Sequence, residues 1–328
     1  MKAFLKLIRW KNLLIVVITQ VLVRYALIDT LAGDMLLKGF LPGGPHSYIN
    51  LQLPLIDFII LVFSTVCITA GGYVINDYFD IRTDLVNKGQ VIVGTKIPRR
   101  RAMMWHNILS GLGVLAGFWV SYRTGFLWIG VIFLLVSGLL YFYSVTYKKQ
   151  MLIGNIIVAL LTALVPLMVV FFELAAIYNY YGSDLISIVS VKIIFYWVAG
   201  FSVFAFLVTL AREIVKDMED FEGDRAYGSR SLPVVAGMSI SKVVVALILA
   251  VTAVLMIIIW ALYINDIISL LYILLASVLP ILYCILTLFR GKTPGDFRTL
   301  SSVIKGVMLT GIFYTVLFWL IYEKGLFL

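Results

Sequence analysis

Nine long apolar runs, separated by short polar segments, dominate the chain of 328 residues. Each run approaches the roughly 20 apolar residues that an α-helix needs to cross the hydrocarbon core of a bilayer. The pattern predicts nine transmembrane helices, at residues 12–30, 55–76, 102–121, 125–146, 152–177, 189–211, 241–264, 268–289 and 300–322. No soluble appendage is indicated. We therefore expect an all-α fold in which residues 1–328 form a single transmembrane domain, one bundle of helices.

The basic residues lie unevenly on the two predicted sides of the membrane. Twenty of the 26 lysines and arginines fall on the side that holds the N-terminus, and four fall on the other side. Such an excess is typical of the cytoplasmic side of a membrane protein. The sequence therefore predicts a polytopic protein of the cell inner membrane, with its N-terminus inside and its C-terminus outside.

Composition supports this class and excludes others. The chain is 62% hydrophobic and 13% charged, with a mean hydropathy of +1.05, whereas about a quarter of the residues are charged in a typical soluble protein. The net charge of +9 does not indicate a nucleic-acid partner, because the basic residues occupy short loops beside apolar runs. Cys67 and Cys284 lie inside apolar runs and indicate neither a disulfide framework nor a metal site. We expect no cleaved signal peptide, since the N-terminal apolar run is long and lacks a small-residue cleavage site.

Two polar, acidic clusters lie at predicted inner ends of spans, in the segments NDYFDIRTD and KDMEDFEGD. Their candidate ligands, spaced to share one face of a helix, are Asn76, Asp77, Asp80 and Asp84 in the first and Asp217, Asp220 and Asp224 in the second. Either cluster alone is typical of a solvated loop, but two of matched spacing on one side favour a site. Like charges at this spacing repel, and carboxylates are ligands that Mg²⁺ prefers, with water and phosphate oxygens completing its coordination. The pattern predicts a Mg²⁺ site for a diphosphate with a membrane-soluble tail, such as a prenyl diphosphate.

The two segments resemble the motifs of the UbiA superfamily of intramembrane prenyltransferases. NDYFDIRTD has the NDxxDxxxD form and DFEGD the DxxxD form, which in that family follow the second and sixth of nine helices. The resemblance implies ionisation of an allylic diphosphate assisted by two Mg²⁺ ions. It implies that Asp80, Asp84, Asp220 and Asp224 are catalytic, that one ion is held by Asn76, Asp80 and Asp84 and the other by Asp220 and Asp224, and that Asp77 and Asp217 are further ligand candidates.

The same resemblance assigns residues to the substrates. The expected contacts of the diphosphate are Lys88, Lys148, Arg212 and Lys216. Tyr143 and Tyr147 are candidates for covering the carbocation by cation–π attraction, although an interfacial aromatic belt explains Tyr147 equally well. Asn12 and Asn155 are cavity candidates, and the basic residues available for a phosphate on the acceptor are Arg9, Lys11 and Arg24. Arg24, Glu173 and Lys305 fall inside spans, where a charged side chain usually faces the protein interior or a partner.

Finer features favour one branch of the superfamily. The segments KDMEDFEGDRAYGSRSLP, IGNIIVALLTAL, IRWKN and VIKGVMLTG resemble those of archaeal-type digeranylgeranylglyceryl phosphate synthases. Aromatic-acceptor members carry N-[KR]-x-x-RPLPSG where this chain has NKGQVIVGTKIP, so that Gln90 replaces an expected arginine. The expected donor is a prenyl diphosphate, geranylgeranyl in that branch, and the expected acceptor is a hydroxyl of a lipid such as geranylgeranylglyceryl phosphate.

Two alternatives stay open. An aromatic acceptor of the hydroxybenzoate or naphthoate type would place the protein in quinone biosynthesis. A cation transporter with an acidic vestibule is the other, but transporters usually carry ionisable residues near mid-membrane or show inverted repeats. Here the acids cluster at the ends of spans. Membrane lipids are partners under every hypothesis.

Overall fold

The computed structural model of the protein describes residues 2–32, 50–88, 91–188 and 191–322, with the backbone alone for residues 88 and 183–188. Over these ranges the chain is helical and contains no β-strand. Its helices are α1 Lys2–Leu7, α2 Trp10–Ile28, α3 Leu55–Phe79, α4 Ile81–Lys88, α5 Arg99–Arg123, α6 Leu127–Val145, α7 Ile153–Ile188, α8 Lys192–Glu219, α9 Phe221–Ala226, α10 Leu232–Val235, α11 Met238–Ile264, α12 Ile267–Leu288 and α13 Pro294–Tyr322.

Nine of these helices in the described ranges are long and apolar enough to cross a membrane, namely α2, α3, α5 to α8 and α11 to α13. The prediction of nine spans in an all-α membrane protein is therefore confirmed. The sixth span extends further than predicted, since α8 continues past residue 211 to Glu219. Arg212, Lys216 and Asp217 consequently lie on a spanning helix, beyond the predicted end of the span at residue 211.

Close contacts between helices depend on small residues. In the pair α3 and α5, the Ser64 hydroxyl donates a hydrogen bond of 2.6 Å to the Gly113 carbonyl oxygen, and a Cβ atom on Gly113 would lie 2.9 Å from the Ser64 carbonyl oxygen. Only glycine permits this approach. In lipid such packing replaces the hydrophobic driving force, which is absent between two apolar helices. Helix α8 packs against α7, α11 and α13.

The bundle has two polar ends. Asp80, where α3 ends, and Asp224, in α9, lie at one end, which we call the motif face. The N-terminus of α2 is at this end as well, since Arg9 contacts Asp77 at 2.9 Å. The C-terminal end of α2 and the start of α3 form the opposite face.

A buried ion pair stabilises the opposite face. The Arg24 Nε atom lies 3.2 Å from the Glu173 Oε2 atom, with 4% and 0% of the two side chains exposed. Glu173 also accepts hydrogen bonds from the backbone N–H groups of Gln52 at 2.5 Å and Leu53 at 3.0 Å. The Arg24 guanidinium donates to the Leu53 carbonyl oxygen and lies 4.5 Å from the centre of the Phe58 ring. The pair thus holds residues 52 and 53 against α2 and α7.

Replacing Glu173 with glutamine is expected to destabilise the protein. The amide oxygen still accepts from the backbone, but Arg24 becomes a buried charge without a counter-ion, which costs about 3–5 kcal/mol. We expect the thermal unfolding temperature in detergent to fall by about 5 °C or more. Glu222→Gln, at an exposed carboxylate, is the matched control. An unchanged unfolding temperature for Glu173→Gln would contradict this account.

Candidate functional site

Each acidic motif interrupts a helix at an aspartate. Helix α3 ends before Asp80, whose φ and ψ are −85° and 2°, and α8 ends before Asp220, at −90° and 8°. The Asp80 N–H still donates to the Asn76 carbonyl at 3.0 Å, and the Asp220 N–H to the Lys216 carbonyl at 2.9 Å. The expectation that each motif lies on one continuous helix is therefore wrong in detail. The two motifs share the same bend, which turns the following short helices, α4 and α9, across the motif face.

The two short helices pack directly against each other. The Gly223 N–H in α9 donates to the Asn87 side-chain oxygen in α4 at 3.0 Å. A Cβ atom on Gly223 would lie 2.2 Å from that oxygen, so glycine is required for the contact. Segments about 140 residues apart in sequence are thereby held together.

Lys148 lies between the motifs and neutralises the first of them. Its ammonium group, in the turn after α6, donates to the Asp80 carboxylate and lies 3.5 Å from the Asn76 side-chain oxygen. Burial lowers the pKa of Lys148, but the effects of Asp80, Tyr143 and Asp84 together outweigh it, so the pKa is raised. Lys148 is thus a fixed positive charge beside a buried carboxylate.

Asp224 faces the same charges from the second motif. Burial raises the pKa of its carboxyl, and so does the nearby Asp80, while the charge of Lys148 opposes the rise. The net effect is a raised pKa. A cation between the Asp80 and Asp224 carboxylates would reduce the repulsion between them.

Tyr143 and Asn155 connect this pair to α8. The Tyr143 hydroxyl lies within electrostatic range of Lys148, Asp80 and Asp217. The Asn155 side-chain nitrogen donates to Asp217 at 2.8 Å. Tyr143, Asn155 and Asp217 therefore belong to the same polar cluster as Asp80 and Lys148.

A second group of charges lies about one turn before Asp217 in α8. Glu213 accepts from Arg212 at 2.7 Å and from Lys216 at 3.0 Å. It is also within electrostatic range of Arg9 and Tyr73. Arg212 and Lys216, both predicted diphosphate contacts, are thus held by one buried carboxylate.

The carboxylates of the motifs are suitable ligands for Mg²⁺. Within the part of the chain that the structure describes, no three histidine, cysteine, aspartate or glutamate side chains converge closely enough to hold a metal. Mg²⁺ usually needs only one or two carboxylates, because water and substrate phosphates supply the rest. Asp80 with the Asn76 oxygen on one side, and Asp224 on the other, fit that requirement.

The structure groups most, but not all, of the predicted site residues. Asn76, Asp80, Asp217, Asp224, Tyr143, Lys148 and Asn155 form the polar cluster between the motifs. Asp84 is within electrostatic range of Lys148 and Arg9, Asp77 pairs with Arg9, and Asp220 is within range of Arg298 at the rim. The side chain of Lys88, and Gln90 entirely, lie outside the described residues.

Arg24 is the exception among these predictions. It lies 12 residues beyond Asn12 on α2, which corresponds to about 18 Å along a helix, and Glu173 and Leu53 occupy its guanidinium. The structure therefore separates Arg24 from the motif face, where a phosphate ligand is needed, and the prediction that Arg24 binds a phosphate is wrong.

Sequence reasoning missed several residues of the site. Asn87 accepts a hydrogen bond from Gly223 in the second motif segment, Glu213 pairs with Arg212, and Tyr73 lies beside Arg9. Asn87 lies three residues after Asp84, yet no spacing rule indicates a partner in α9. Glu213 is adjacent to Arg212 in sequence, and that adjacency was its only signal.

Comparisons with known proteins identify the family of the chain. The profile of the UbiA prenyltransferase family matches residues 46–322. The digeranylgeranylglyceryl phosphate synthase of Methanothermobacter thermautotrophicus is 36% identical over 265 residues, which cover 78% of this chain and 84% of that protein.

Solved structures share the fold. A structure of a digeranylgeranylglyceryl phosphate synthase in membranes superposes with a TM-score of 0.62 at 25% identity, covering 96% of this chain and 98% of the other. A UbiA homologue from Archaeoglobus fulgidus bound to DMAPP and Mg²⁺ gives a TM-score of 0.55 at 17% identity, covering 95% and 98% of the two chains. The helical membrane bundle, its two facing acidic motifs and these relatives lead to one conclusion: the chain belongs to the UbiA prenyltransferase family.

Proposed function

We propose that this prenyltransferase moves a geranylgeranyl group from its diphosphate to a hydroxyl of geranylgeranylglyceryl phosphate. The observation that carries the proposal is the polar cluster in which Asp80, Asp224 and Lys148 meet at the end of an apolar bundle. A diphosphate requires the charges, and its isoprenoid tail requires the apolar helices. The synthase relatives supply the acceptor class.

The residues that would hold Mg²⁺ are those of the two motifs. Asn76, Asp80 and Asp84 would hold one ion and Asp220 and Asp224 a second, with Asp77 and Asp217 beside them. The solved UbiA homologue with DMAPP and Mg²⁺ supports the use of a divalent ion. Bound there, Mg²⁺ supplies Lewis acidity to the leaving diphosphate.

This chain's own residues perform the remaining steps. Lys148, together with Lys216 and Lys88, stabilises the negative charge that develops on the diphosphate as the bond from C1 to oxygen breaks and its electron pair departs with oxygen. Tyr143 faces the allylic cation. The acceptor oxygen then bonds to C1, and its proton is released to solvent or to the diphosphate.

The side of the membrane follows from the distribution of basic residues. Twenty lysines and arginines lie on the side of the N-terminus, and the contact between Arg9 and Asp77 assigns the motif face to that side. By the positive-inside rule, the motif face of the single bundle formed by residues 1–328 would meet the cytoplasm at the inner membrane. Water-soluble diphosphate could leave from that face.

A product assay tests the function. Purified protein in detergent, supplied with Mg²⁺ and labelled geranylgeranyl diphosphate, is expected to prenylate geranylgeranylglyceryl phosphate and not 4-hydroxybenzoate or a naphthoate. Mass spectrometry identifies the product, and an EDTA-treated sample is expected to form none. Prenylation of the aromatic acid alone would reverse the assignment of the acceptor, and product in EDTA would remove the metal from the mechanism.

A further inference from the structure

A cationic cluster beside the motif site is not used by the steps above. Lys305 lies within the span α13, and its ammonium donates to the Asn12 side-chain oxygen at 2.9 Å. The charged groups that act most strongly on Lys305 are Arg212 and Lys11, both cations. Lys305 on α13 thus contacts α2 through Asn12 and lies within electrostatic range of Lys11 on α2 and Arg212 on α8.

Most of the positive charge in this cluster has no matching carboxylate. Among the described residues, neither Lys305 nor Lys11 forms an ion pair, and Glu213 is shared between Arg212 and Lys216. The buried Nε atom of Arg212 has no hydrogen-bond partner in the structure. Like charges repel one another, and an ionisable residue inside a membrane is usually functional. The cluster is therefore suited to binding an anion.

A cavity open to the surface borders the cluster. It has a volume of about 480 Å³, lies where α1 meets α2, and is lined by Lys2, Leu5, Lys6, Arg9, Trp10, Lys11 and Asn12. Lys11 and Asn12 belong both to this cavity and to the surroundings of Lys305. An anionic head group that enters at the start of α2 would therefore meet Lys11 and Asn12 on its way to Lys305.

We propose that Lys305, Arg212, Lys11 and Asn12 bind a phosphate monoester on the acceptor lipid. The subsite selects a phosphorylated acceptor over the corresponding alcohol. This inference rests on the proposed function, since it specifies how the same protein recognises its acceptor. Arg212, assigned to the diphosphate from sequence, here serves the acceptor.

Glu213 and Tyr73 separate the proposed subsite from the motifs. Glu213 is within electrostatic range of Asp217 and Tyr143 on one side and pairs with Arg212 on the other. Tyr73 lies 4.9 Å from the Arg9 guanidinium, measured to the ring centre, and within electrostatic range of Glu213. Glu213 and Tyr73 thus lie between the proposed subsite and the motif carboxylates.

The test compares two acceptors in wild type and variants. Geranylgeranylglyceryl phosphate and geranylgeranylglycerol are each titrated at saturating geranylgeranyl diphosphate, with Lys305→Met, Lys305→Arg and Lys192→Met. Loss of one charge-assisted hydrogen bond corresponds to about 10- to 100-fold in affinity. We expect Lys305→Met to raise the KM for the phosphorylated acceptor by that factor, with the KM values for the alcohol and for geranylgeranyl diphosphate unchanged. We expect Lys305→Arg to retain much of the preference for the phosphorylated acceptor over the alcohol. Lys192 is an exposed lysine outside the cluster, and we expect Lys192→Met to behave as wild type.

Other outcomes overturn the inference. A higher KM for geranylgeranyl diphosphate in Lys305→Met would assign the cluster to the donor, and equal losses for both acceptors would make Lys305 structural. Phosphatidylglycerol that competes as well as the acceptor in wild type, and not in Lys305→Met, would make this a site for bulk anionic lipid.

Direct binding of the two acceptors without donor, measured calorimetrically, distinguishes this failure from that of the proposed function. Binding of the phosphorylated lipid that depends on Lys305, but without transfer, would retain the subsite and reject the reaction. Transfer to that lipid without dependence on Lys305 would retain the reaction and reject the subsite.

Discussion

Asp80→Asn and Asp224→Asn are each expected to lower kcat about 100-fold or more, the scale on which preorganised charge stabilisation is lost in enzymes. Both substitutions preserve size and remove one negative charge from the place where the motifs face each other. Asp80 is 8% exposed and Asp224 is 9% exposed, so water cannot easily replace either carboxylate as a ligand. The measurement is turnover of labelled geranylgeranyl diphosphate at several Mg²⁺ concentrations.

The pair of variants also tests whether the two motifs act together. If both carboxylates serve one diphosphate, the double variant is expected to be scarcely slower than either single one, because residues that act as a unit are not additive. Glu222→Gln is the control, since Glu222 lies in the second motif segment but is exposed. Wild-type turnover in Asp80→Asn would remove the proposed mechanism.

Lys148→Met is expected to produce the next largest loss, about 100-fold in kcat/KM. The substitution removes the ammonium that Asp80 and Asn76 hold between the motifs while keeping a flexible side chain of similar length. Two constants are expected to move in opposite directions. The KM for the diphosphate rises, because a positive contact is lost, and the Mg²⁺ concentration for half-maximal activity falls, because the ammonium no longer competes for Asp80.

Lys149→Met provides a closely matched comparison. Lys149 is the next residue in the same turn, its side chain is exposed, and its contribution to the fold is the backbone carbonyl that accepts from the Arg230 N–H at 2.8 Å. We expect wild-type kinetics for this variant. Equal losses in both lysine variants would indicate a general effect of surface charge and would contradict a specific role for Lys148.

Much of the candidate site could be predicted from sequence because its ligand residues are close together in the chain. Carboxylates three or four residues apart, such as Asp80 and Asp84, indicate a shared site within a single segment. Lys148 was assigned from the resemblance, and its contact with Asp80 was not predicted, because it depends on how α6 and α3 end beside each other. Asn87 shows the same limit, since its partner Gly223 is 136 residues away.

Arg24 shows how the same reasoning fails. A charge inside a span must have a partner, and that much the sequence indicates. Several partners for Arg24 were equally consistent with the sequence. The hydropathy pattern indicates how deep a residue lies in the membrane, but not the direction in which its side chain points. Only the packing of α2 against α7 brings Glu173 to Arg24 and leaves Lys305, on α13, beside Asn12.

By itself, then, the sequence determined the class of the protein, the nine spans and the chemistry of its two motifs, because hydrophobic length and helical spacing are local properties. The tertiary structure decided which charges meet. It bends the chain at Asp80 and Asp220, inserts Lys148 between the motifs and collects Lys305, Arg212 and Lys11 from three helices. Those groupings follow from the packing of helices distant in sequence, and the free energy of a charge in a membrane depends on the partners that such packing supplies.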